Sequence, residues 1–105
     1  MTLEEKLENF KHDRVGFHVS SREVAELLGE TLGRIGIHGN AGSTAHDAVM
    51  LSWEDHAEDT WVFVNSPYDR GTFCDGSRSY SGNYLKEIYE VTVEELKEYL
   101  GKAGE

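Results

Sequence analysis

Asp47-Ala48-Val49-Met50-Leu51-Ser52-Trp53 is the stretch on which the fold turns. Val49, Leu51 and Trp53 recur at every second position, the spacing that puts side chains on one face of a strand. On that reading the second half of the chain becomes a run of strands. Residues 60–65 follow after the polar connector at 54–59, with Trp61 and Phe63 alternating against Val62 and Val64. Ser66-Pro67-Tyr68-Asp69-Arg70-Gly71 reads as a hairpin turn, because proline presets one turn dihedral and glycine supplies positive φ. Thr72-Phe73-Cys74 is the return strand, and residues 77–83 are a polar loop. Residues 84–89 fit a helical turn or a strand equally, and Tyr89-Glu90-Val91 makes a final strand.

The flanks are helical. Thr2 with Glu5, Ser20 with Glu23, and Thr92 with Glu95 each match the capping box, in which a hydroxyl caps the helix start and a carboxylate reaches back. Leu3, Leu7 and Phe10 give the first helix a buried stripe over residues 3–11. Val24, Leu27, Leu28 and Leu32 stripe a longer one that Gly33 or Gly36 ends, and Val93, Leu96 and Leu100 stripe a closing one. Val15, Phe17 and Val19 share one face of a short strand between the first two. The expectation is a single α+β domain over residues 1–105. Its core is an antiparallel β-meander with an N-terminal helix, one long helix packed on the sheet and a C-terminal helix.

Charge narrows the function classes. Twenty Asp and Glu oppose ten Lys and Arg, for a formal net charge of −10. A field of that sign repels nucleic acid and anionic membrane, so direct nucleic-acid binding is not expected. Acidity serves solubility on one reading and phosphate mimicry on another; the longest acidic runs are pairs such as Glu4-Glu5 and Glu94-Glu95, which does not favour mimicry. Cys74 is the single cysteine and forms no internal disulfide. Neither a secretion signal nor a bilayer-spanning stretch is expected, so the location expected is cytoplasmic.

No catalytic set stands out. The five histidines, at 12, 18, 38, 46 and 56, form no pair with metal-ligand spacing. His38, His46 and Asp47 would have to converge to hold a metal; otherwise the histidines are structural or surface residues. Gly39-Asn40-Ala41-Gly42-Ser43-Thr44 lacks the lysine of a phosphate loop, leaving either an anion nest or a plain connection. The expectation is a protein that binds rather than catalyses, without cofactor or metal.

The richer signal is aromatic. Phe73 and Tyr80 lie in sequence beside Arg70, Asp75, Arg78, Ser79, Ser81 and Asn83. A nucleotide needs such a set: a ring on which its base stacks, for about 1–3 kcal/mol, and guanidinium forks for phosphate oxygens. Core aromatics beside a solvated loop would give the same sequence.

The stretches 17–36, Trp53-Glu54-Asp55-His56-Ala57-Glu58-Asp59-Thr60-Trp61 and Ile88-Tyr89-Glu90-Val91-Thr92-Val93-Glu94-Glu95-Leu96 resemble small phage-encoded anti-defence proteins. Among these are the Thoeris anti-defence sponges, which sequester a cyclic ADP-ribose signal without cleaving it. The resemblance implies a homo-oligomer in the host cytoplasm with ligand at subunit interfaces. It further implies that Phe73 stacks on adenine, that Asn83 fixes ribose or base, and that Arg22 serves the phosphates at a helix N-terminus. Arg70, Arg78 and Tyr80 complete the expected ligand-binding set. The alternative partner is a host defence or DNA-binding protein, blocked by an acidic, anti-CRISPR-like surface.

Overall fold

The computed structural model describes residues 1–39, 43–63, 74–77 and 85–103. In chain order these form α1 (Leu3–His12), β1 (Val15–His18), α2 (Arg22–Arg34), α3 (Ala45–His56), a 3-10 turn (Ala57–Asp59), β2 (Thr60–Phe63), β3 (Cys74–Ser77), β4 (Glu87–Tyr89) and α4 (Val93–Ala103).

The antiparallel meander is corrected at both ends. The stretch at 47–53 is the middle of α3. Thr44 caps that helix by accepting from the Asp47 N–H at 3.1 Å. Ala45, Val49 and Ser52 are its buried residues, at i, i+4 and i+7. A strand would have put Val49 and Leu51 on one face, whereas Val49 is 0 % and Leu51 61 % exposed. The chain therefore has two neighbouring helices, α2 and α3, where one long helix was expected.

The second correction is strand direction. The described sheet has the order β3-β2-β1-β4. β1 pairs antiparallel with β2, and β2 antiparallel with β3, with Phe63 opposite Cys74. β4 pairs parallel with β1, placing Tyr89 opposite Phe17. A three-residue strand carries too few ladder bonds to choose its own direction, so its long-range partners choose. The Phe17 ring lies 5.1 Å from Phe10 and 5.9 Å from Tyr89, within the range of favourable aromatic packing. Asn9 Nδ2 donates to the Tyr89 hydroxyl at 3.0 Å. The Lys86 N–H donates to the Arg14 carbonyl at 2.7 Å, and Lys86 Nζ reaches Asp13 at 2.8 Å.

Two of the three expected capping boxes form. Thr2 and Glu5 exchange bonds at the start of α1, and Thr92 and Glu95 at the start of α4. At α2 the cap is Ser21, which accepts from the Val24 N–H at 3.2 Å, in place of Ser20. The Val19 N–H still donates to the Thr60 carbonyl, so the extended chain runs one residue further before turning. Gly36, at φ +90, ends α2, with the Ile37 N–H bonded to the Leu32 carbonyl and the Gly36 N–H to that of Gly33. Glycine suits this left-handed position because it has no Cβ to clash.

One face of the sheet carries the core. Val15, Phe17, Val62 and Tyr89 meet Phe10 of α1, Val24, Leu28 and Leu32 of α2, Val49 of α3 and Leu96 of α4. Each large side chain so buried contributes roughly 1.5–3 kcal/mol. At Gly29 α2 lies close against α3: a Cβ there would lie 2.7 Å from the His46 Cα.

Candidate functional site

Alternation along the strands fixes what lies on the other face. With Val15, Phe17, Val62 and Tyr89 in the core, Gly16 and His18 of β1, Trp61 and Phe63 of β2, and Ile88 of β4 point away from it. Cross-strand register places His18 opposite Trp61, and Gly16 opposite both Phe63 and Ile88. A groove of about 520 Å³ opens here, lined by His18, Glu58, Asp59, Trp61, Ile88 and Glu90. That volume falls within the range of small-ligand sites.

His18 is the fixed point of the groove. Its Nδ1 lies 2.8 and 3.0 Å from the two Glu90 carboxylate oxygens, and its Nε2 lies 2.7 Å from the Glu58 carbonyl. Both nitrogens thus face acceptors. A neutral imidazole donates from one nitrogen only, so the imidazolium form satisfies both sides. The ring ties the chain just past β4 to the 3-10 turn, joining residues 72 and 40 positions from it.

That turn starts from a constrained residue. Ala57 ends α3 at φ 49, ψ −126, with its N–H on the Trp53 carbonyl. Left-handed backbone of this kind costs a non-glycine residue about 1–2 kcal/mol. It is held because Thr60 at the far end of the turn is buried, its hydroxyl donating to the Ser52 carbonyl at 3.1 Å. The reversal brings the Glu58 carbonyl to His18 and lines the groove with Glu58 and Asp59. Neither carboxylate has an ion-pair partner among the described residues.

The site therefore combines three carboxylates, one imidazole held between a carboxylate and a carbonyl, a half-buried indole and a branched aliphatic side chain. It suits a ligand that is cationic at one end and flat or apolar along its length. It does not suit phosphate, which would meet Glu58, Asp59 and Glu90 at close range.

Of the six residues expected from the sequence to bind ligand, the described structure places one. Arg22 is the exposed first residue of α2 and is absent from the groove lining. Phe73, Asn83, Arg70, Arg78 and Tyr80 lie outside the described residues, as does the 40–42 part of the Gly39–Thr44 loop. Where that loop is described, Thr44 serves as a helix cap and pairs with His38. Among the described residues no group of three His, Cys, Asp or Glu is placed to hold a metal ion, and no helix is long and apolar enough to cross a membrane.

Sequence reasoning had not assembled the groove. The alternation of β1 already set His18 opposite Val15, Phe17 and Val19, but its partners arrive from distant segments that no local pattern links. Comparison with protein-family models, with curated proteins and with solved structures returned no match.

Proposed function

We propose that this protein acts by non-covalent binding of a positively charged protein surface, with the groove on the open face of its sheet at the centre of the contact. The observation that carries this reading is the pairing of Trp61 with the Glu58 and Asp59 carboxylates in one hollow, on a chain of net charge −10. Opposite charge steers encounter and selects partners, and an aromatic anchor in a pocket is the usual source of affinity. The His18 contacts also favour binding over catalysis. A general base needs a ring nitrogen facing substrate, and here each nitrogen already faces a protein oxygen.

The test is to titrate an oligo-arginine peptide into isotopically labelled protein and follow the amide and indole resonances. The reading expects changes centred on Glu58, Asp59 and Trp61 that fade as salt is raised. Changes confined to the acidic helices, or none, would remove it.

A second reading, sequestration of a cyclic ADP-ribose-type signal by a homo-oligomer in a host cytoplasm, rests on the family resemblance and on the concentration of Phe73, Tyr80, Arg70, Arg78 and Asn83 in one stretch of sequence. Calorimetry with cyclic ADP-ribose isomers checks it. Binding abolished in Phe73→Ala supports it; no binding by the parent chain ends it.

A further inference from the structure

We infer that the groove is a receptor for one arginine side chain, whose guanidinium is held between the Trp61 ring and the Glu58 and Asp59 carboxylates. The inference rests on the binding reading above and names the group recognised.

Three features of the groove select guanidinium. First, it is lined by the half-buried Trp61 and Ile88, which flank β1 on the same sheet face, Trp61 opposite His18 and Ile88 opposite Gly16. An indole is the best aromatic partner for a cation, and arginine stacks on it as a plane while lysine meets it as a strongly hydrated point charge. Second, Glu58 and Asp59 are consecutive and both line the groove, so their carboxylates present several acceptor oxygens to a forked donor. Neither is neutralised by an ion pair among the described residues, in contrast to Glu90, which His18 holds at 2.8 Å. Third, the constrained turn at Ala57 fixes the backbone from which both acids project, so that part of the site needs no ordering on binding. His18 does not compete for the ligand's place; one ring nitrogen faces the Glu90 carboxylate and the other the Glu58 carbonyl. The apolar stretch of an arginine side chain would lie against Ile88 while its head meets the acids.

The experiment uses the full chain and three capped tripeptides, glycine-X-glycine, with X arginine, lysine or citrulline. Binding is read from the Trp61 indole resonance and by calorimetry. The arginine peptide is expected to shift that resonance saturably. Citrulline keeps the shape and loses the charge, and is expected to bind at least about tenfold more weakly; lysine falls between. Trp61→Ala should lower arginine affinity about 5- to 30-fold, and Trp61→Phe by less. Because a half-buried tryptophan also packs, Glu58→Gln with Asp59→Asn, both at exposed positions, provides the second variant and should weaken arginine while leaving citrulline unchanged. Equal binding of arginine and citrulline overturns the inference, as does unchanged affinity in the double variant. Binding of oligo-arginine without binding of the single-arginine peptide also overturns it, yet leaves the basic-surface reading standing. Failure of both peptides removes both.

Discussion

Gly29→Ala adds one methyl group at the point where α2 crosses α3. That Cβ would sit 2.7 Å from the His46 Cα and 3.4 Å from its Cβ and backbone N. Carbon atoms pack at about 3.5–4.0 Å, and the nearest atom is backbone, so relief requires the helices to separate. Overpacking of this kind costs about 1–3 kcal/mol. The same substitution raises helix propensity by about 1 kcal/mol, leaving a net loss of up to about 2 kcal/mol. Gly33→Ala is the control, one turn further along the same helix and exposed, with no atom within 4 Å of the added methyl. There only the propensity gain remains, about 0.5–1 kcal/mol of stabilisation. Urea titration followed by far-ultraviolet circular dichroism should move the two midpoints in opposite directions with the slope unchanged. A Gly29→Ala midpoint at or above that of Gly33→Ala would refute the close crossing, and with it the placement of residues 45–56 against α2.

Ala57→Gly should raise the melting temperature by several degrees, since relief of left-handed strain of about 1–2 kcal/mol exceeds the added flexibility of glycine in the unfolded chain; a lowered value would mean that the turn is not strained. Ser21→Ala and Thr44→Ala should each cost about 1 kcal/mol through loss of a cap, while Ser20→Ala stays within about 0.5 kcal/mol, as chemical denaturation of the three will show. Asp13 is held below the ordinary carboxylate range by the hydrogen bond from Lys86, then by that from the Arg14 N–H. Its folded pKa is thus depressed, so its contribution is present above the unfolded value near 4 and is lost as pH falls through the lower folded value. Asp13→Asn should therefore flatten the fall of stability as pH drops below about 4, measured by denaturation at a series of pH values; an unchanged slope would remove the Lys86 contact.

How far the fold was legible depended on where its determinants sit. α1, α2 and α4 are specified locally, by caps and by leucines at helical spacing, and they form nearly where the sequence placed them. In α3 the window 47–53 holds both periods at once: Val49, Leu51 and Trp53 at intervals of two, Val49 and Trp53 at four. The deciding signals lay just upstream, in Thr44-x-x-Asp47 as a helix start and in Ala45 as the first buried residue. β4 was not legible in direction, because Phe17, Asn9 and Arg14 determine it from more than 70 positions away. The same holds for the groove. Its residue types were visible singly, but His18 acquires its meaning only when Glu58 and Glu90 close on it.

Gly16 accounts for how the groove is closed at one end among the described residues. It occupies β1, an inner strand, beside His18's position on the same face. A Cβ at residue 16 would meet Leu85 Cδ1 and the Val62 carbonyl oxygen at 3.0 Å, and Ile88 Cδ1 at 3.4 Å. The absence of a side chain therefore lets Leu85 and Ile88 settle onto β1. Two residues along, β1 carries an imidazole instead, and its charged partner Glu90 stands 71 % exposed at the rim. Over one turn of strand pleat the face changes from sealed and apolar to open and acidic. That change is written in the pair Gly16 and His18, and the groove exists because one of them has no side chain and the other has a polar one that must be held.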